Sequence, residues 1–229
     1  MQHLRETVDR PYRAFRDRED AGEQLAEFLE EEGAEPDAVL AVPSGGVAVG
    51  RPVAEHFGVP FDVVLVRKLP LPFNPEAGFG AVTLERDIVL TDQIVQRAGL
   101  SDARIDEIAD EVLEGLRERK AALDRVRRPV EPGGLDVIVV DDGLASGVTM
   151  RAALQQVRRH QPRSVSVAVP DAPVRTVQLI EPEVHHLYCL VAQSFGSFAV
   201  ASFYEDWYDL TDQETAEILR ALPGEGEEA

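Results

Sequence analysis

The sequence predicts an α/β protein built on a mostly parallel, doubly wound sheet with flanking helices. Two observations predict it. Short apolar runs rich in valine alternate with segments whose apolar residues fall at helical spacing, the pattern of βαβ units covered on both faces. Two of these runs end in Gly-containing loops that lead into helices, and ligands in such sheets bind beyond the carboxyl ends of the strands. With 229 residues the chain suits a single domain, 1–229, with a core over about 20–192 and a small variable hood or C-terminal segment over 193–229. Hydrophobic residues make up 44%, enough for a packed core, which excludes global disorder.

The elements follow in order. Ala21, Leu25, Phe28 and Leu29 lie at helical spacing after Asp20, a candidate cap, and Gly33 and Pro36 end that helix. Ala38–Val42 reads as a buried strand. Val47–His56 reads as a helix kinked at Pro52. Asp62–Val66 reads as a second buried strand, and residues 69–80, with three prolines and two glycines, as a loop. Gly80–Thr83 and Asp87–Leu90 suggest a small hairpin. Ser101 is placed to cap a long helix reaching about Arg127, with Ile105, Ile108, Val112 and Leu116 on one face. Val137–Val140 is a third strand. Met150, Ala153, Leu154 and Val157 mark the helix after it. Ser164–Val169 and His186–Val191 are further strands, and Asp212–Leu222 is a last helix capped near Thr211.

Charge narrows the function. There are 42 acids against 23 bases, a net charge of −19, and only Lys68 and Lys120 are lysines. Such a surface argues against nucleic-acid binding, which needs a basic footprint. It suggests adaptation to high salt, since self-repulsion of this size must be screened. The alternative is an ordinary acidic protein with an acidic tail, but Glu225, Glu227 and Glu228 supply only three of the acids. No apolar run is long enough to span a bilayer, and the charged stretch Met1–Asp20 has no apolar signal region. The lone cysteine, Cys189, sits in an apolar stretch and has no internal partner, which fits a reducing cytoplasm. The five histidines show no metal-ligand spacing.

The chemistry concentrates where strands end. Val137-Ile138-Val139-Val140 delivers two carboxylates, Asp141 and Asp142, followed by the loop Gly143-Leu144-Ala145-Ser146-Gly147-Val148-Thr149 and the start of a helix. Loop amides, a helix N-terminus and the hydroxyls of Ser146 and Thr149 make an anion site suited to a phosphate. A ribose 5-phosphate fits the combination, its diol on the carboxylates and its phosphate in the loop. Read without that ligand, the two aspartates are turn residues or a magnesium site of another α/β fold. Val42-Pro43-Ser44-Gly45-Gly46 is a second strand-to-helix junction, where two glycines allow close approach of a ligand. Arg67 and Lys68 end the second strand, either as anion contacts or as a solvated basic pair. Phe195, Phe198, Phe203, Tyr204, Trp207 and Tyr208 cluster near the chain's end; they either pack that segment onto the core or offer Phe195 or Phe198 to a flat ring. Pro170-Asp171-Ala172, read as a loop, is another candidate pocket wall.

Residues 137–149 resemble the phosphoribosyl pyrophosphate signature of type I phosphoribosyltransferases: four apolar residues, two acids, then a loop ending in Ala-Thr/Ser-Gly-x-Thr. The stretches Phe15–Arg18 with Asp20–Gly22, Arg67–Val82, and Ser194-Phe195 with Tyr204 are similar to a poorly characterised subgroup of predicted members. The resemblance implies the type I phosphoribosyltransferase fold and a Mg²⁺-dependent transfer of ribose 5-phosphate from phosphoribosyl pyrophosphate to a nitrogenous small-molecule acceptor, such as a nucleobase in salvage. It implies catalytic roles for Asp141, Asp142 and Lys68, with both aspartates near the metal. The phosphoribosyl pyrophosphate site would comprise Ser44, Gly45, Gly46, Arg67, Lys68, Asp141, Asp142, Gly143 and Ala145 through Thr149. Residues 44–46 would be the pyrophosphate loop, often carrying a strained peptide bond; many relatives have arginine at the position of Ser44. The 69–80 loop would be the mobile catalytic loop, and Phe195 and Phe198 would line the base site. Family members are commonly dimers, so a homodimer is expected. The alternative within the superfamily is a regulator that binds phosphoribosyl pyrophosphate without turnover, but such proteins tend to carry a nucleic-acid-binding region that this chain lacks.

Overall fold

The computed structural model describes residues 1–126 and 129–221. In chain order the elements are β1 (Gln2–Val8), α1 (Arg18–Glu31), β2 (Ala38–Ala41), α2 (Gly45–Phe57), β3 (Phe61–Val63), β4 (Val66–Leu71), β5 (Asn74–Thr83), β6 (Ile88–Leu90), α3 (Asp92–Ala98), α4 (Asp102–Leu123), β7 (Asp136–Val140), α5 (Val148–Arg159), β8 (Ser164–Pro173), α6 (Val174–Ile180), β9 (Leu187–Gln193) and α7 (Asp212–Arg220). Six strands pair in parallel in the order β1-β9-β8-β7-β2-β3. From β2 the chain first adds β3 on one side, then returns to add β7, β8 and β9 on the other. The sheet therefore has its topological switch point between β2 and β7, the place where ligands of such sheets bind, beyond the carboxyl ends of the strands.

Alternation along the strands sends side chains to two cores. Val39, Ala41, Ile138 and Val140 pack under α1 and α2. Leu40, Val42, Val137 and Val139 pack under α5 and α6. A Cβ on Gly22 of α1 would lie 2.4 Å from the Val49 carbonyl oxygen and 3.0 Å from Cγ of Pro52, so α1 and α2 touch closely there. Pro52 does lie inside α2.

Several boundaries differ from the sequence reading. Asp17, not Asp20, caps α1: its carboxylate accepts the Asp20 amide at 2.9 Å, because the helix begins a turn earlier, at Arg18. The strand read as Asp62–Val66 divides, since β3 ends at Val63 and Val66 already belongs to a separate sheet of order β4-β5-β6. The supposed loop 69–80 is mostly an antiparallel hairpin of β4 and β5. Its prolines misled: Pro70 sits on an edge strand at a register irregularity, where a missing N–H is tolerated. β6 runs Ile88–Leu90 and closes the small sheet. β8 continues to Pro173, so Asp171 lies in a strand rather than a loop. The edge strand β1 and the short helices α3 and α6 were not foreseen. Ser101 caps α4 as expected, and the helix ends at Leu123; Arg127, Leu222 and the acidic tail lie outside the described residues. Thr211 caps α7 in a reciprocal box with Glu214.

Candidate active site

The loops after β2 and β7 meet at the switch point. A Cβ on Gly45 would fall 1.8 Å from Oδ2 of Asp142, and one on Gly46 would fall 2.8 Å from the Val140 carbonyl oxygen. α2 begins at Gly45, two residues before the expected Val47, and only glycine lets its first turn lie directly on the carboxylate pair. The peptide bond between Pro43 and Ser44 is cis. Asp141 and Asp142 are half-buried at the strand end and not sealed in the core. Oδ1 of Asp141 accepts the Asp142 amide at 2.9 Å, which fixes the first carboxylate.

Asp142 has a cationic partner that the sequence reading missed. Nε of Arg18 donates to Oδ2 at 2.9 Å, and the two side chains are only 8% and 17% exposed. Arg18 also donates to the Tyr208 carbonyl at 2.7 Å, and its guanidinium carbon lies 3.8 Å from the centre of the Trp207 ring. The hydroxyl of buried Tyr204 donates to the backbone carbonyl of Asp142 at 2.7 Å. The aromatic C-terminal segment thus supports the carboxylates from behind. Burial, then the charge of Asp142, pushes Asp141 well above the ordinary carboxylate range. Burial also raises Asp142, while Arg18 opposes the shift. A third acid, Asp171 on β8, is wholly buried nearby with neither oxygen hydrogen-bonded. A Cβ on Gly143 would stand 2.8 Å from its Oδ1, so the turn after Asp142 lies against it.

The next loop stays outside the helix. Residues 141–147 are irregular, and α5 begins at Val148 behind Gly147, whose φ of 78° is in the left-handed region. Ala145 and Ser146 are exposed, while Thr149 is half-buried in the first helical turn. Thr176 of α6 donates to the Ala145 carbonyl at 2.7 Å and pins the loop's outer side. The first-turn amides of α5 have no carbonyl within the helix to bond, which suits an anion.

Facing this is the Ser44 side of the switch point. Arg119 reaches it from α4, its terminal nitrogen donating to Oγ of Ser44 at 2.6 Å and pairing with Asp212 of α7 at 2.8 Å. Arg67 and Lys68, neighbours on β4, point to opposite faces of the hairpin. Arg67 shares its face with Leu69, toward α4, and its terminal nitrogen lies 3.2 Å from where a Cβ on Gly115 would be. The stem of Lys68 runs over Gly78, 2.5 Å from where a Cβ there would be. Phe195 is 72% exposed, in the loop leaving the carboxyl end of β9. Phe198 is half-buried and packs on Phe203 with ring centres 5.6 Å apart, against the core.

Arg119, which the sequence reading missed, and Asp171, read there only as part of a candidate pocket wall, each carried a signal. Arg119 falls three residues after Leu116 and four before Leu123, both buried, so it interrupts the apolar stripe of α4. Asp171 is a charge within a run of small apolar residues. Arg18 carried none beyond its place in the Phe15–Arg18 stretch. Among the described residues, no group of three or more histidine, cysteine or acidic side chains is placed to hold a metal alone. The Asp141–Asp142 pair fits Mg²⁺ in the manner that ion prefers, one or two carboxylates completed by waters and substrate phosphates.

Comparison with known proteins gives the family and the fold. The family model described as "Phosphoribosyl transferase domain" matches residues 12–177. The Mycobacterium tuberculosis protein named "Putative phosphoribosyl transferase Rv0571c" is 36% identical over 205 residues, which is 90% of this chain and 46% of that protein. The counterpart in strain CDC 1551 / Oshkosh matches equally, so the chain spans about half the length of the curated relatives it matches. The crystal structure of TT1426 from Thermus thermophilus has a TM-score of 0.74 and 37% sequence identity, covering 92% of this chain and 99% of that one. With the family model spanning most of the chain and with these relatives, the chain belongs to the phosphoribosyl transferase domain family.

Proposed function

We propose that this protein transfers ribose 5-phosphate from phosphoribosyl pyrophosphate to a nitrogenous acceptor, a nucleobase in salvage, releasing pyrophosphate. One observation carries the reading: Gly45 and Gly46, in the first turn of α2, lie directly on Asp142 and Asp141 at the switch point, beside a loop-and-helix start suited to a phosphate.

In this reading the ribose diol donates to Asp141 and Asp142. The 5-phosphate rests on the amides and hydroxyls of residues 145–149, and the diphosphate lies on Ser44–Gly46. Arg18 favours the ionised form of Asp142, ready to accept from the sugar, and Tyr204 holds the turn that presents it. As the bond to the diphosphate breaks, positive charge develops at the anomeric carbon and negative charge on the leaving group. The loop amides and one basic side chain of β4, either Arg67 on the face toward α4 or Lys68 on the opposite face, would stabilise the latter. Mg²⁺, held by Asp141 or Asp142 together with the substrate, would supply further charge neutralisation for the diphosphate. The β4–β5 hairpin, with Phe73 exposed near its tip, stands where the catalytic loop was expected, and its closure would exclude water. Phe195, exposed, and Phe198, half-buried, would line the acceptor site in this reading.

The test is to incubate the protein with Mg²⁺ and phosphoribosyl pyrophosphate in concentrated KCl with a panel of nucleobases, and to measure pyrophosphate. Release that depends on one base is expected. Tight binding with no release for any acceptor would replace the transferase with a sensor.

A further inference from the structure

We propose that Arg119 of α4 supplies the positive charge of the Ser44–Gly46 anion loop, and that Asp212 of α7 is the internal anion which a bound diphosphate displaces. The inference deepens the proposed function and rests on residues 44–46 being the diphosphate loop.

Four observations carry it. Ser44 brings no charge of its own, yet its hydroxyl accepts from the Arg119 guanidinium at 2.6 Å. The Arg119 side chain is only 10% exposed, and its Nε is buried without a hydrogen-bond partner. An arginine on the buried stripe of a helix is a costly placement unless its donors have work to do. The Arg67 guanidinium stands beside Gly115, one turn before Arg119 on α4, and burial together with Arg67 pushes the Arg119 pKa down against the pull of Asp212. Finally, the partner that balances this charge is exposed: Asp212 is 62% accessible, in the first turn of α7. A surface carboxylate on a separate element can be exchanged for an incoming anion at little structural cost.

The assignment separates the two halves of the substrate. Ribose 5-phosphate binds at Asp141, Asp142 and residues 145–149, to which Arg119 makes no hydrogen bond, its side-chain partners being Ser44 and Asp212. Inorganic pyrophosphate binds at Ser44–Gly46, beside it. Calorimetry with each ligand in the presence of Mg²⁺ is therefore the experiment. Arg119→Gln is expected to weaken pyrophosphate by about 10- to 100-fold, the loss of a charge-assisted hydrogen bond, and ribose 5-phosphate by less than about 2-fold. Adding Ser44→Arg to Arg119→Gln returns a cation to the loop and is expected to recover most of the pyrophosphate affinity, which a purely structural role would not allow. Asp212→Asn removes the competing anion and is expected to tighten pyrophosphate selectively. If Arg119→Gln does not fold, as judged by its unfolding transition, Asp212→Asn decides alone. Unchanged pyrophosphate affinity in Arg119→Gln, equal loss for both ligands, or no tightening in Asp212→Asn overturns the assignment. Wild-type protein that binds neither ligand overturns the proposed function, and this inference with it.

Discussion

Asp171 is wholly buried with both carboxylate oxygens unpartnered, on the strand next to the one that ends just before Asp141. Burial first, then the charges of Asp142 and Asp141, pushes its pKa well above the ordinary range. A carboxyl raised in the folded state favours folding in its protonated form. Its contribution is intact below the unfolded value of about 3.9 and is lost as pH rises through the folded pKa. Asp171→Asn removes that titration. The variant is expected to be more stable than wild type at neutral pH, on the order of 1 to 3 kcal/mol, with the gain shrinking as the medium is acidified. Urea unfolding across a pH series checks this, and a variant less stable at neutral pH would contradict it. Single residues were unevenly legible. Asp141 and Asp142 stood out because a buried strand delivers two charges to a loop. Arg18 is an ordinary first-turn residue by sequence, and only the tertiary contact with Trp207, Tyr208 and Asp142 reveals it.

Elements with a strong hydrophobic period were readable, because burial on both faces leaves a continuous apolar run. β2, β7, α2 and α5 are of this kind. β1 failed for the opposite reason: as an edge strand its residues are exposed or half-buried, so Gln2–Val8 shows charge where a central strand would show valine. The hairpin of β4 and β5 failed because proline and glycine carry two meanings, loop punctuation or edge-strand irregularity. The approach of α1 to α2 gives a prediction at this scale. Gly22→Ala should lower stability by about 1 to 3 kcal/mol, since the added methyl meets the Val49 carbonyl and Pro52. A chemical denaturation curve measures it, and a variant as stable as wild type, as helix propensity alone would favour, would show that the two helices yield.

For the molecule as a whole, the net charge of −19 sets the terms. Ion pairs such as Arg163 with Asp37 and Asp136, or Arg86 with Asp106 and Asp110, hold some acids locally but leave that excess unchanged, since their arginines are already counted in it. Added salt shortens the Debye length from about 10 Å at 0.1 M to about 3 Å at 1 M and weakens the remaining repulsion. A gain on the order of 2 kcal/mol would raise the unfolding midpoint by roughly 4 to 8 °C for a chain of this size. A scan in KCl should show that rise, and a flat or falling midpoint would remove the case for adaptation to high salt. The fold and the site meet at the same place, the switch point between β2 and β7, and the account depends on what binds there. Asp142 is tied to Arg18, so Asp141 gives the cleaner probe. Calorimetric titration of phosphoribosyl pyrophosphate with Mg²⁺ should show binding to the wild-type protein and about 10- to 100-fold weaker binding to Asp141→Asn, with the unfolding transition retained. Equal affinity in the two proteins, or no binding to either, would contradict it.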